Sequence, residues 1–457
     1  MQPNSIIIAK LFTYMNFESI ADTIIKKTLS KGATDCDVVL ARGSGKSISC
    51  RLQKIEDIEE SNDKTFGIRA LIGNQQAFVS SSDIEEDKLN ESISKVVEMA
   101  KLAPDDNTAC LGDKNFFENN FEDLNLHQEE ETKTELLIDA VKECEEVALS
   151  TKGISNSEGA GASYSTGEFF LATSNGFRGG YKSSTNSISC SVLAGEGLSM
   201  ERDYDYDLTR HLKDLEKPSV IGKSAAEKAI QRLNPKKIKS CKTSVVFDKR
   251  VSNDLLSYFA SSISGPAIAR ETSFLKDSLH KKIFSKEVSI IDSPKILKGL
   301  GSRPFDGEGI KTNKKELVSN GTLNTWILNT STAKKLNLKT TGHASRSVGS
   351  PPGVGTSNLY MVNGINSFED MIKSIKSGFY ATELIGMGVN LITGDYSMGA
   401  SGLWIENGEI AFPVNEVTIA SNLKEMFLNL SAANDLEFKY RANTPTLRVD
   451  GMTLAGK

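Results

Sequence analysis

Arg303, Asp306 and Glu308 fall within one short run, SRPFDGEG (302–309). Its carboxylates could hold a peptide amine or a guanidinium, and its arginine could grip a carboxylate through two parallel hydrogen bonds. The same three charges could instead pair with one another and fix a glycine-rich turn. Further along, TGHASR (341–346) supplies His343 and Arg346. The chain has four histidines, at 127, 211, 280 and 343, and none can pair with another on one helix as metal-ligand spacing requires. His343 therefore reads as a hydrogen-bonded structural residue first and as a substrate-binding candidate second. Arg346 could bind a substrate backbone or carboxylate, or anchor its loop to a neighbouring subunit. A third segment, ELIGMGVNLITGDYS (383–397), has the glycine spacing of a loop that turns tightly and approaches something closely.

Other motifs fail on spacing. ARGSGKS (41–47) places Leu40 where a phosphate-binding loop needs its first glycine, and a strand-like run follows it rather than a helix. It reads as a hairpin turn. GMGVN (386–390) lacks the GxGxxG spacing. Tyr204-Asp205-Tyr206-Asp207 lacks the glycine and terminal glutamate of a calcium loop and reads as a surface loop. Ser257, Ser261 and Ser262 have neither a GxSxG elbow nor an identifiable base to activate them.

The bulk properties are those of a globular chain of two or three domains: 457 residues, 39% hydrophobic, 25% charged. A net charge of −5 provides no global basic field for nucleic acid. No stretch approaches the length of a membrane span. Six cysteines without a CxxC suggest reduced thiols and a cytoplasmic setting. The apolar start, 5–17, lacks a basic leader region and a cleavage site and reads as non-signal, with Met15 a possible true start.

Three parts must position these residues, at 1–127, 128–235 and 236–457. In the first, Ile20, Ile24, Ile25 and Leu29 predict a helix over 17–31, with Gly32 as its C-cap. Four β-rich runs follow, at 36–41, 46–53, 65–72 and 76–81, then a helix from about 82 carrying Leu89, Ile93, Val96, Val97 and Ala100 until Pro104 stops it. Residues 105–127 read as an irregular connection. The second part predicts a helix over 128–150, a hairpin at Asn175-Gly176 and a helix over 224–233. The third is mostly strand and glycine-bearing turn, including KEVSIID (286–292) and TWILNT (325–330), with helices at 252–263 and 421–430.

GLGSRPFDGEG, STAKKLNLKTTGHASR, ELIGMGVNLITGDYSMGASGLWIENGEIAFPVNEVTIA and the C-terminal PTLRVDGMTLAG resemble the TldD/PmbA metallopeptidase family, and its PmbA (TldE) branch in particular. The resemblance runs from about Met15 to the end. It implies an α+β fold: an N-terminal α/β region followed by a β-rich, partly barrel-like C-terminal domain. In the TldD branch an HExxxH helix and a later cysteine hold zinc. Here the matching run is DLLSYFASSISGPAIARETSF (254–274), where the histidine positions fall near Ser257 and Ser262 and the glutamate near Tyr258, and no cysteine follows Cys241. The resemblance thus implies a chain without its own zinc, paired with a TldD-like subunit that carries it, or with itself, and acting on unfolded proteins or leader peptides. A non-enzymatic peptide-binding or assembly protein is the alternative, and an autonomous hydrolase with an unrecognised site a weaker one.

Overall fold

The computed structural model describes residues 17–457; Met15 and most of the apolar start lie outside them. The front of the molecule is one antiparallel sheet. Its strands are β1 (Asp35–Arg51), β2 (Lys54–Ile72), β3 (Gln75–Ser81), β4 (Ile154–Thr173), β5 (Arg178–Ala194) and β6 (Glu201–Thr209), in the order β3-β2-β1-β4-β5-β6. The parts divided at 127 in the sequence share this sheet, because β1 pairs along nearly its whole length with β4.

The runs 36–41 and 46–53 belong mostly to one strand, β1, so ARGSGKS is not a hairpin turn. Both neighbouring ladders continue through it, with Gly43 opposite Asp63 on β2 and Gly167 on β4. Glycine weakens a strand without ending it when both edges are paired. The real turn comes at Leu52 and Gln53, which take φ of 49° and 62°. Buried Glu145 holds that turn by accepting both amides, at 2.9 and 2.7 Å.

Along β1, Val38, Leu40, Ile48 and Cys50 have the same parity and so share a face. α1 (Phe17–Ser30) and α2 (Glu86–Leu102) cover one end of that face, burying Ile24, Ile93 and Val96. α3 (Thr134–Ser150) and α4 (Pro218–Gln231) cover the other end, through Val141, Cys144 and Ala225. The predicted helix at 128–150 begins only at Thr134. The opposite face presents Val39 and Leu171 to Phe117, Phe177, Phe305 and Ile310. That aromatic layer seats the C-terminal domain on the sheet. Tyr204–Asp207 lies within edge strand β6 rather than a surface loop. Asp203 beside it is buried and takes Arg250 through two hydrogen bonds, at 2.6 and 3.0 Å.

The C-terminal domain begins with β7 (Cys241–Phe247), α5 (Lys249–Ser262) and α6 (Gly265–Ala269). β8 (Ile290–Ser293), β9 (Lys315–Ser319) and β10 (Thr322–Leu323) follow, then α7 (Thr330–Lys335). Next come β11 (Ala344–Ser345), β12 (Gly353–Val354), β13 (Asn358–Met361), α8 (Phe368–Lys373), β14 (Ser377–Ile385), β15 (Asp395–Glu406) and β16 (Glu409–Asn422). α9 (Leu423–Leu428), β17 (Leu430–Ala432), β18 (Ala442–Asn443) and β19 (Leu447–Ala455) complete the chain. The order β16-β15-β14-β7-β19 closes on itself where β19 pairs with β16, giving a five-stranded barrel. The fold is therefore α+β with a barrel in its C-terminal domain. Phe247, Phe379, Met398, Ile419 and Leu454 belong to its core, together with Leu255 and Phe259 of α5.

Two strands expected here differ. Only the end of KEVSIID is strand. TWILNT is a buried loop: Trp326, Ile327 and Leu328 are all hidden, without the alternation of a strand, and Asn329 caps α7 by accepting the Thr332 amide at 2.9 Å.

Candidate functional site

The loop 300–310 crosses from β8 toward the aromatic layer. Asp306 organises it. One carboxylate oxygen accepts the amides of Glu308 and Ile310, both at 2.9 Å, and the other accepts the Ala344 amide at 3.0 Å. Arg303 reaches the same neighbouring strand from the other direction, donating to the carbonyls of Ala344 at 2.9 Å and Gly355 at 3.1 Å. Glu308 accepts from the Thr330 amide and hydroxyl, at 2.9 and 2.6 Å, at the start of α7. The three charges therefore do not pair with one another as their spacing suggested. A short loop curls its backbone amides toward its own carboxylate more readily than it brings two side chains face to face. Burial, and then the neighbouring Asp306, push the Glu308 acid up to about 7.

His343 is 2% exposed, with Nδ1 2.8 Å from the Thr341 hydroxyl and Nε2 3.3 Å from Asp292. Burial works to raise the Asp292 acid, but hydrogen bonds from His343 and Ser357 outweigh it and hold the carboxyl below its ordinary range. Arg346 reaches across to the first sheet and pairs with Asp37 of β1, which also takes Arg69 at 2.5 Å. The contact Arg346 makes is within this chain. Two of its guanidinium nitrogens, Nε and Nη1, are buried without a partner.

Between this loop and the β4–β5 ribbon lies a pocket of about 320 Å³, lined by Arg210, Arg303, Arg346 and Arg441 together with Phe169, Tyr181 and Phe305 among others. Asp306 lines it as well; Glu308 and His343 do not. Phe169 and Tyr181 rings stand 5.6 Å apart, and Tyr181 and Phe305 5.8 Å. Burial raises the Tyr181 phenol, and Arg303, Arg210 and Arg441 all draw it back. Burial lowers the Arg210 guanidinium, Tyr181 opposes that, and Arg441 adds to it. Sequence reasoning missed Tyr181, Arg210 and Arg441, which lie outside the glycine-rich motifs and converge only through the fold.

On α5 the Ser257 hydroxyl donates to the Asn253 carbonyl at 3.0 Å, and that of buried Ser262 to the Tyr258 carbonyl at 2.8 Å. Tyr258 points its ring at Tyr396, with centroids 6.4 Å apart, and the buried Tyr396 hydroxyl has no partner. Among the described residues no three His, Cys, Asp or Glu side chains cluster as a metal site would require, and no helix is long and apolar enough to cross a membrane.

Three family models match in order: PmbA/TldA metallopeptidase domain 1 over residues 36–103, the central domain over 127–233 and the C-terminal domain over 240–456. The chain is 35% identical to the metalloprotease PmbA homolog of Haemophilus influenzae, covering 93% of each chain. It is 34% identical to the metalloprotease PmbA of Escherichia coli O157:H7, covering 94% of each. A crystal structure from Bacteroides thetaiotaomicron, named as a candidate modulator of DNA gyrase, superposes with a TM-score of 0.88 at 27% identity, over 96% of this chain and 99% of that one. TldE from Thermococcus kodakarensis shares the fold, with a TM-score of 0.84 at 21% identity over 96% and 100%. With its sequence matched almost end to end and its domains in the family's order, the chain belongs to the PmbA (TldE) branch of the TldD/PmbA metallopeptidase family.

Proposed function

We propose that this chain is the PmbA/TldE-type subunit of a TldD/TldE metallopeptidase complex, acting in the proteolysis of unfolded proteins or leader peptides in the cytoplasm. A TldD-like partner supplies the zinc, its bound water and the general base. This chain completes the substrate chamber. The observation that carries the reading is the donor set on α5. Zinc takes imidazole, thiolate or carboxylate ligands. Ser257 and Ser262 offer neutral hydroxyls, each already donating to a carbonyl of its own helix, and Tyr258 is packed against Tyr396. These residues do not fit the metal, so no hydrolytic step runs through them.

The test is reconstitution. The purified chain is assayed on an unfolded polypeptide alone and after addition of a TldD-like subunit. Cleavage should need the partner, stop with chelator and stop when the partner's HExxxH glutamate is replaced. Chelator-sensitive cleavage by this chain alone, free of partner by mass spectrometry, defeats the proposal.

A further inference from the structure

The pocket beside Tyr181 carries more positive charge than its wall balances, with Asp306 the one carboxylate among four arginines. Among the described residues, Arg210, Arg303 and Arg441 form no ion pair. Arg210 donates to the carbonyls of Gly299, Ser184 and Leu300, and Arg303 to those of Ala344 and Gly355. Carbonyls orient a guanidinium without neutralising it. The Nε of Arg303 is buried with no partner. Among the described residues Arg441 makes no side-chain hydrogen bond, and it is exposed at the rim. Asp306 feels the charge of Arg303, but its oxygens are taken by three backbone amides and it forms no ion pair with Arg210, Arg303 or Arg441. Buried or half-buried charges are ordinarily paired, and the chain as a whole is acidic, with a net charge of −5. The cluster therefore does not reflect an overall positive charge.

We propose that this pocket binds the C-terminal carboxylate of an extended peptide, with the guanidinium groups of Arg210, Arg303 and Arg441 as the oxyanion clamp. Planar guanidinium groups match a carboxylate through paired hydrogen bonds. Phe169, Tyr181 and Phe305 give the pocket an apolar side, which suits the terminal side chain that accompanies a peptide carboxylate and that inorganic phosphate lacks. About 320 Å³ admits the end of a chain but not a folded domain. Naming a peptide as the bearer rests on the proposed function; the oxyanion chemistry stands on the arginines.

The experiment uses the isolated full chain, with no partner and no cleavage readout. A hexapeptide ending in leucine, fluorescein-labelled at its N-terminus, is titrated by anisotropy as the free acid and as the C-terminal amide, with inorganic phosphate as competitor. The free acid should bind at least about tenfold more tightly than the amide, the scale of one charge-assisted contact. Arg441→Gln should weaken the acid about tenfold with an unchanged melting temperature, since its side chain supports nothing else. Arg210→Gln should weaken it further, and neither variant should alter binding of the amide. Equal binding of acid and amide, no binding of either, or wild-type affinity in both variants overturns the proposal. Displacement by phosphate without discrimination between acid and amide also overturns it, and assigns the pocket to phosphate. None of these results bears on partner-dependent cleavage, so the two proposals fail separately.

Discussion

Arg346 and Asp37 stand 309 positions apart in sequence and form a buried ion pair across the boundary between the C-terminal domain and the first sheet. Asp37 is 2% exposed and holds Arg69 as well, with Arg69 Nε at 2.7 Å. Two residues on, the Val348 carbonyl lies so close over Gly67 of β2 that a β-carbon there would come within 1.9 Å of it. The segment that follows β11 is thus strapped to the sheet by one charge pair and one close backbone approach.

The clamp is asymmetric, and so should be its mutants. Asp37→Ala leaves two buried guanidinium groups without a carboxylate and should cost about 3–5 kcal/mol. Arg346→Leu leaves Asp37 with Arg69 and removes two unpartnered nitrogens, so its cost should stay below about 2 kcal/mol. Urea denaturation midpoints of the two variants give the comparison. Equal losses would show that Arg69 does not share the load.

Glu308 should make stability depend on pH. Its acid is raised from 4.5 to about 7 by burial and by Asp306, so the folded chain holds the proton more tightly than the unfolded one. That contribution is fully present below 4.5 and is lost as pH rises to about 7, at roughly 1.4 kcal/mol per pH unit and about 3 kcal/mol in total. Asp306, also raised by burial, has the same sign, whereas the lowered acids Asp203 and Asp292 oppose it. The difference between wild type and Glu308→Gln reports Glu308 together with its effect on Asp306. Glu308→Gln should become the more stable of the two as pH rises from 4.5 to 7, and a constant difference across that range would refute the assignment.

Gly309 takes φ of +80° and faces the Phe177 ring, whose nearest atom would lie 2.5 Å from an added β-carbon. Gly309→Ala should cost about 1–3 kcal/mol by overpacking alone, with backbone strain added. Thermal unfolding measures this, and a wild-type melting temperature would mean that the aromatic layer yields.

Elemental analysis after brief chelation should find far less than one zinc per purified chain, because α5 offers hydroxyls where zinc needs nitrogen, sulfur or carboxylate ligands. Near-stoichiometric, chelator-resistant zinc would overturn the proposed division of labour with a partner.

Local periodicity by itself determined α1, α2 and much of α3, since Ile20, Ile24 and Ile25, or Leu89, Ile93 and Val96, repeat at helical spacing whatever surrounds them. The glycine-bearing motifs at 302–309, 341–346 and 383–397, with the C-terminal PTLRVDGMTLAG, were enough to identify the family. Turn signals misled where tertiary pairing overrode them: Gly43 and Gly45 read as a hairpin but sit in a strand with neighbours on both sides, and the true turn has no glycine because Glu145, more than ninety positions away, holds it. Sequence could nominate Arg303, Asp306, Glu308, His343 and Arg346, yet only the fold decided that Asp306 would serve backbone amides, that Arg346 would meet Asp37, and that Arg210 and Arg441 would join Arg303 around Tyr181. Charge pairing depends on distances of a few ångströms between segments hundreds of residues apart, and the chain's local pattern contains no record of those distances until the sheet and barrel have closed around them.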